Sequence, residues 1–243
     1  MERRRADLLL VERGLFESRA KARAAIEAGR VAVDGRVLAK PAELVDAGAE
    51  IVAKPAHPWV GRGGLKLDHA LTIWPITVAG RTVLDVGAST GGFTEVCLTR
   101  DAAKVFAVDV GHGQLHPKLL ADPRVVNLEG VDARALTTAE ITEPPTLVVC
   151  DASFISLAKV LGAGLRLVAE SADLVALVKP QFEVGPDKIG KGGNVRDPEA
   201  RAGAVQAVAD WLVGEGWMVR AREESPIRGG DGAVEHLIWA TKA

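Results

Sequence analysis

Four ionisable side chains stand where an apolar run ends or a glycine turn begins, and together they could move a proton. Lys66 lies in Gly-Gly-Leu-Lys-Leu, Asp151 follows Val-Val-Cys, Lys179 ends Leu-Val-Lys, and Glu235 sits in Gly-Ala-Val-Glu-His. A charge at the end of an apolar run costs free energy unless it is paired or used. Taken singly, Lys66 and Glu235 read as surface ion-pair residues. Lys179 and Asp151, at the ends of adjacent apolar runs, read as functional. A ribose 2′-hydroxyl, a weak acid and poor nucleophile, must be deprotonated or strongly oriented before it attacks an electrophile. A lysine can do this when its pKa falls, which burial and a second nearby ammonium promote. The expected roles are Lys179 as base or orienter and Lys66 as that second ammonium. Asp151 would position Lys179, and Glu235 would position Lys66 or the ribose. Holding hydroxyl and electrophile in line would supply much of the acceleration.

A second constellation could bind the electrophile. Residues 82–95 read Thr-Val-Leu-Asp-Val-Gly-Ala-Ser-Thr-Gly-Gly-Phe-Thr-Glu, a buried-strand pattern that opens through glycines into a helical one. Gly87, Gly91 and Gly92 let a ligand press on the backbone and let the helix pack close to its strand. A dinucleotide fingerprint would place its second glycine at 89, where this chain has Ser89. Asp85 would repel a pyrophosphate and suits a ligand carrying an ammonium and a sulfonium, which points to S-adenosylmethionine. Asp109 ends the next strand-like run and can grip both ribose hydroxyls of such a ligand. Asp132, after the third, can accept from an adenine amino group. Asp85, Gly87, Ser89, Gly91, Gly92, Phe93, Asp109 and Asp132 are the expected cofactor residues. A lone acid here would read as a solvated cap; three acids past three successive strands do not.

The elements that must position these groups follow from periodicity. Strands are expected at 82–86, 104–109, 124–128, 146–150, 173–178, 217–223 and 235–241, and helices at 65–73, 92–100, 114–121, 156–170 and 198–214. This alternation predicts an α/β fold, a parallel sheet with helices on both faces. Only Glu224–Val234 separates the last two strands, too little for a crossover helix, so they should pair antiparallel. Seven strands with an inverted last pair resemble the sheet of Rossmann-like methyltransferases.

Lys54-Pro55-Ala56-His57-Pro58-Trp59-Val60-Gly61-Arg62-Gly63-Gly64 resists helix and strand, which predicts a first domain over 1–58, a linker over 59–64 and a second domain over 65–243. Trp59 could dock the two domains together. The first domain reads as a helix at 6–12, a helix capped by Ser18 that stops at Gly29, a hairpin over 31–37 turning on Asp34-Gly35, and a strand near 50–53. Ten Lys/Arg against six Asp/Glu give residues 1–40 a charge of +4, and the remainder carries −6 of the total −2. Two basic helices leading into a small sheet resemble the RNA-binding module of small-subunit ribosomal protein S-four. The matching residues are Arg5-Ala6-Asp7, Leu10, Gly14, Ser18-Arg19, Ala22, Ile26, Gly29, Val31, Val33, Asp34-Gly35, Lys40-Pro41 and Ile51. The module implies RNA contacts by Arg5, Arg19, Lys21, Arg23, Arg30 and Lys40. Residues 183–198 read as a flexible loop. Its Lys188, Lys191 and Arg196 either stay solvated or close on an RNA backbone.

Apolar content of 48% and the near-neutral total describe a globular chain and argue against indiscriminate nucleic-acid binding. Cys97 and Cys150 lie in apolar runs and read as reduced core thiols. No apolar run approaches a membrane span, and the start lacks a signal-peptide pattern, so a cytoplasmic location is expected. His112 and His116 are interrupted by glycine and proline, and no metal site is expected. Phe154 and Phe182 could stack on a displaced base, with pocket packing the favoured reading.

The second domain resembles the FtsJ-like ribose 2′-O-methyltransferases, whose Lys-Asp-Lys-Glu tetrad falls on Lys66, Asp151, Lys179 and Glu235. The whole chain resembles the TlyA family, often labelled haemolysin A. Val178-Lys179-Pro180-Gln181-Phe182-Glu183 and Gly190-Lys191-Gly192-Gly193 are its distinctive stretches. The resemblance implies S-adenosylmethionine-dependent methylation of cytidine 2′-hydroxyls in ribosomal RNA, on the large subunit and in one subtype on the small subunit also. The short tail after Trp239 is closer to the large-subunit subtype. Ribosomal RNA or ribosomal subunits would be the partners, and oligomeric state is left open. The rival readings are a membrane-active haemolysin, a pseudouridine synthase sharing the RNA-binding module, and an inactive binding protein.

Overall fold

The computed structural model describes residues 2–190, 192–230 and 232–242. The chain divides into two compact units between Pro58 and Trp59.

The first unit holds β1 (Arg3–Arg5), α1 (Ala6–Glu12), α2 (Arg19–Glu27), β2 (Val31–Val33), β3 (Arg36–Val37), β4 (Leu44–Asp46) and β5 (Ile51–Ala53). Ser18 caps α2 by accepting the Lys21 N–H at 3.3 Å. Asp34 and Gly35 both take positive φ, 48° and 78°, which a two-residue hairpin turn requires. β2 lies between β3 and β5, and β1 pairs antiparallel with β4. Leu9, Leu10, Ala22, Ile26, Val31 and Leu38 form its core. The β1–β4 ribbon is absent from the sequence reading. Three exposed arginines carry no apolar alternation, and only pairing makes them a strand.

The second unit runs α3 (Gly63–Ile73), β6 (Thr82–Val86), α4 (Gly92–Thr99), β7 (Lys104–Asp109), α5 (Pro117–Leu120), β8 (Val125–Glu129), β9 (Leu147–Cys150), α6 (Leu157–Arg166), β10 (Ala172–Val178), α7 (Pro180–Glu183), α8 (Pro198–Gly214), β11 (Met218–Glu224) and β12 (His236–Lys242). Its sheet order is β11-β12-β10-β9-β6-β7-β8, with β12 antiparallel to both neighbours and the other pairs parallel. Val83 and Val105 face one apolar layer under α3 and α4, whereas Leu84 and Phe106 face the other, under α6 and α8. Burial on both faces explains why these strands read as unbroken apolar runs. From β6 the chain steps outward to β7 and β8, then returns to β9 on the other side of β6. That reversal opens a crevice at the carboxyl ends of β6 and β9, where ligands of such sheets sit.

Two helices are shorter than the periodicity suggests. Gln114 and Leu115 donate their N–H groups to the Glu129 carboxylate at 2.6 and 3.0 Å, so α5 begins only after His116. Past Arg166 the backbone leaves α6, and Ala169 N–H donates to Pro145 O at 3.0 Å. In both places a tertiary hydrogen bond outcompetes the local helical one.

Candidate active site

Each member of the tetrad is delivered by a different element. Lys66 comes from the first turns of α3, Asp151 directly follows β9, Lys179 directly follows β10, and Glu235 directly precedes β12. β9 and β10 are parallel neighbours, and β12 returns antiparallel beside β10, so one sheet rim collects three of the four. Glu235 Oε2 lies 2.6 Å from Lys66 Nζ, Lys66 Nζ lies 3.8 Å from Asp151 Oδ2, and Asp151 Oδ1 lies 2.7 Å from Lys179 Nζ. The last contact is ionic and lacks hydrogen-bond alignment. Lys179 Nζ donates aligned bonds to Asp151 O at 3.0 Å and Ser153 Oγ at 2.7 Å. Lys66, Lys179 and Glu235 are all buried. Two cations alternating with two anions form a neutral chain, the arrangement that makes burial of four charges tolerable.

Two cavities meet at this chain. The smaller, about 290 Å³, is lined by Lys66, Asp151, Lys179 and Glu235, together with Arg62, Phe93 and Gln181. The larger, about 1160 Å³, runs along the carboxyl ends of β6, β7 and β8. They share a wall of Gly87, Ser89, Asp151, Ser153, Phe154 and Phe182.

Gly87, Ser89, Asp109 and Asp132 all line the larger cavity. Gly87 has φ +82°, and a Cβ there would stand 2.7 Å from Ala152 Cα. The two loops at the switch point can pass this closely only because residue 87 has no side chain. The Asp109 carboxylate accepts from Ser89 N–H and Gly111 N–H, both at 2.8 Å, which fixes its plane on the rim. Asp132 is forked by Arg134 at 2.6 and 3.0 Å, and that guanidinium holds its carboxyl below the ordinary range. Gly92 and Phe93 line the smaller cavity instead. Gly91 lines neither: a Cβ there would strike the Leu119 side chain, so its role is helix packing.

Asp85 also lines neither cavity. It shares the strand face of Val83 and is fully buried, with Thr94 Oγ1 donating to Oδ2 at 2.6 Å and Oδ1 unpartnered. Burial pushes its carboxyl up to about 7. The cation-facing position expected for it is not where its side chain lies.

Among the basic residues of the first unit, Arg5 and Arg19 both grip the fully buried Asp7, at 3.0 and 2.9 Å. Hydrogen bonds from Arg5 and then Arg19 bring the Asp7 carboxyl down to about 2. Lys21 pairs with Glu17. Arg23, Arg30 and Lys40 are exposed and make no ion pair among the described residues. Lys188 and Arg196 are exposed on the loop after α7, and Lys191 lies outside the described residues. Trp59 packs its ring against Gly64 inside the second unit.

Three residues of the site have no place among the expected site residues or a different one. Ser153 bonds the Lys179 ammonium; its signal is a hydroxyl two residues past the strand-end acid. Val110, directly after Asp109, stands exposed in the larger cavity, an apolar face beside the ribose-type acid. Phe154 is 89% exposed with φ +65°, its ring 5.2 Å from that of Phe182. Packing, favoured from sequence, does not describe Phe154: it is presented outward in a conformation that is a genuine outlier for a bulky residue.

Residues 59–242 match the family described as FtsJ-like methyltransferase, and residues 4–51 match the S4 domain. The chain is 49% identical over 239 residues to the 16S/23S rRNA (cytidine-2′-O)-methyltransferase TlyA of Mycobacterium tuberculosis, covering 98% of this chain and 89% of that one. A solved chain from Streptococcus thermophilus, provisionally named a hemolysin, superposes with a TM-score of 0.78 at 39% identity, covering 100% of this chain and 90% of that one. Among the described residues, no helix is long and apolar enough to cross a membrane. A SAM-dependent methyltransferase from Aquifex aeolicus shares the fold, with a TM-score of 0.52 at 20% identity over 76% of this chain and 95% of that one. A strand-end glycine turn, a buried tetrad and a basic N-terminal module are thus joined in one sequence, and the chain belongs to the TlyA family, FtsJ-like methyltransferases that carry an S4 domain.

Proposed function

We propose that this chain transfers the methyl group of S-adenosylmethionine to the 2′-hydroxyl of a cytidine in ribosomal RNA, in the cytoplasm. The observation that carries the reading is the shared wall. A cofactor-sized crevice and a cavity lined by the tetrad meet at Gly87, Ser89, Asp151, Ser153, Phe154 and Phe182. The bound cofactor would supply a methyl carbon made electrophilic by its sulfonium. Asp109, held by two backbone N–H groups, presents its remaining lone pairs to a ribose diol. Asp132 faces the adenine end and Val110 offers an apolar face to the ring. Gly87 and Ser89 let the methionine end approach the backbone.

On the other side of the wall, Lys179 orients or deprotonates the target hydroxyl, a role worth about 10²–10⁴-fold in rate. Asp151 contacts both lysines, so a proton gained by Lys179 is met by a carboxylate already in place. Glu235 holds Lys66, which completes the charge balance and fixes the far end of the chain. Phe154 and Phe182 form an aromatic edge on which an unstacked cytosine can rest. Arg23, Arg30 and Lys40 supply free positive charge for the RNA backbone.

The test incubates purified protein and S-adenosylmethionine separately with small and large ribosomal subunits from cells lacking the gene, then maps 2′-O-methyl marks. A new mark on a cytidine of either subunit is the expected result, and its position names the target. No mark on either subunit would reject the reading.

A further inference from the structure

Two segments supply most of the wall between the cavities, residues 151–157 after β9 and residues 179–183 after β10, and three ties join them. Lys179 Nζ donates to Asp151 O at 3.0 Å and to Ser153 Oγ at 2.7 Å. The rings of Phe154 and Phe182 lie 5.2 Å apart. The third tie is a carboxylate outside the tetrad: Glu183 Oε1 accepts the Leu157 N–H at 2.9 Å. Leu157 is the first residue of α6, where backbone N–H groups lack helical partners and a negative charge is favoured. Ser156, the residue placed to cap this end, makes no capping bond with its side chain. The task falls to Glu183, 26 positions away and half-buried, its carboxyl pushed up by burial. Between these ties sits Phe154, at φ +65° and 89% exposed. Left-handed backbone in a bulky residue persists only where its surroundings over-determine it. Lys179 fixes the flank at Ser153, and Glu183 fixes the flank at Leu157.

We propose that Glu183 is a positioning residue for methyl transfer: by pinning the start of α6, it holds the Phe154 ring outward, where the target cytosine rests. The proposal rests on the methyl-transfer reading above and deepens it. Without the Glu183 carboxylate, the Leu157 N–H loses its partner and the turn at Phe154 is anchored on one flank only. Its strain then relaxes, and the ring leaves the wall. Lys179 and Asp151 stay joined through their own contacts, so the tetrad is left standing. Glu183 lines the larger cavity and not the one that holds the tetrad, so its effect on transfer passes through the Phe154 turn.

The experiment measures kcat/KM on ribosomal subunits for Glu183→Ala, Glu183→Gln, Phe154→Ala and the double variant Glu183→Ala with Phe154→Ala. Cofactor affinity and melting temperature are followed alongside. Phe154→Ala, which removes a stacking partner, should lose about 30-fold. Glu183→Ala should lose about tenfold, with cofactor affinity within about threefold of wild type. Glu183→Gln keeps an acceptor at the same reach and should stay within about threefold of wild type. The double variant should fall no further than Phe154→Ala, because both losses act through one ring. Independent effects would instead multiply to about 300-fold, and that result overturns the positioning role. A Glu183→Ala activity within about threefold of wild type overturns it too, as does a Glu183→Gln as impaired as Glu183→Ala. A loss of cofactor affinity of about tenfold would make Glu183 a cofactor residue instead. Phe154→Ala as active as wild type overturns the proposal and leaves methyl transfer standing. If Glu183→Ala does not fold, Glu183→Asp, a methylene too short to reach Leu157, takes its place throughout the cycle. A wild type that methylates no cytidine overturns both readings.

Discussion

Lys179 and Asp85 are both ionisable residues at the carboxyl rim of one sheet, yet the structure sets them different tasks. Lys179 ends inside the tetrad cavity, touching Asp151 and Ser153. Lys179→Ala is expected to lower turnover at least about 100-fold while calorimetric cofactor affinity stays within a few-fold; turnover near wild type would remove it from the mechanism. Asp85 ends under α4 with one oxygen unpartnered and its carboxyl pushed up to about 7 by burial. A carboxyl whose folded-state pKa is raised binds more protons folded than unfolded, so its stabilising influence is present at low pH and is lost as pH rises from about 4 to about 7. At neutral pH and above, the cost is at most on the order of 4 kcal/mol. Asp85→Asn keeps the shape and the acceptor for Thr94 without this penalty. Urea unfolding should find the variant gaining on wild type across that window and the gap constant above it. Parallel stability curves from pH 4 to 8 would disprove the assignment.

At the scale of elements, the site depends on how closely two loops pass. The β6 turn and the β9 turn meet at Gly87 and Ala152, where an added Cβ would stand 2.7 Å from backbone. Gly87→Ala combines that clash with a positive φ, a strain of about 1–3 kcal/mol. The loops should separate, and with them the wall that both cavities share. Cofactor affinity is expected to fall at least about tenfold, measured by titration of the folded variant, with the far-ultraviolet dichroism unchanged. Affinity equal to wild type would show that the approach is incidental. The central strands β6, β7, β9 and β10 were legible because they are buried on both faces, so apolar runs mark them. The ends of α5 and α6 were not, because Glu129 and Pro145, distant in sequence, decide where those helices stop.

For the whole molecule, charge is divided between its two parts. The near-neutral total conceals a basic first 40 residues, and the structure sorts their charges further. Arg5 and Arg19 neutralise a buried carboxylate, whereas Arg23, Arg30 and Lys40 are exposed and make no ion pair among the described residues. Arg23→Ala and Lys40→Ala should each reduce the slope of log affinity for ribosomal RNA against log salt by about one, with melting temperature unchanged. Arg19→Ala should lower the melting temperature of the first unit, because it strips a partner from Asp7. A slope that neither Arg23→Ala nor Lys40→Ala changes would remove these residues from RNA binding.

Residue types and their spacing alone determined the sheet with its inverted last pair, the glycine turn and the strand-end pair Asp151 and Lys179, whereas Lys66 and Glu235 joined them through the family resemblance. The former depend on local periodicity or on what chemistry a side chain can perform. Tertiary structure alone decided that Ser153 touches the lysine, that Phe154 turns outward, that Asp85 sinks below the crevice and that Arg5 and Arg19 are already engaged. Those outcomes rest on contacts between segments remote in the chain and on which side of a strand or turn each group finally points, and neither is written in the order of the residues.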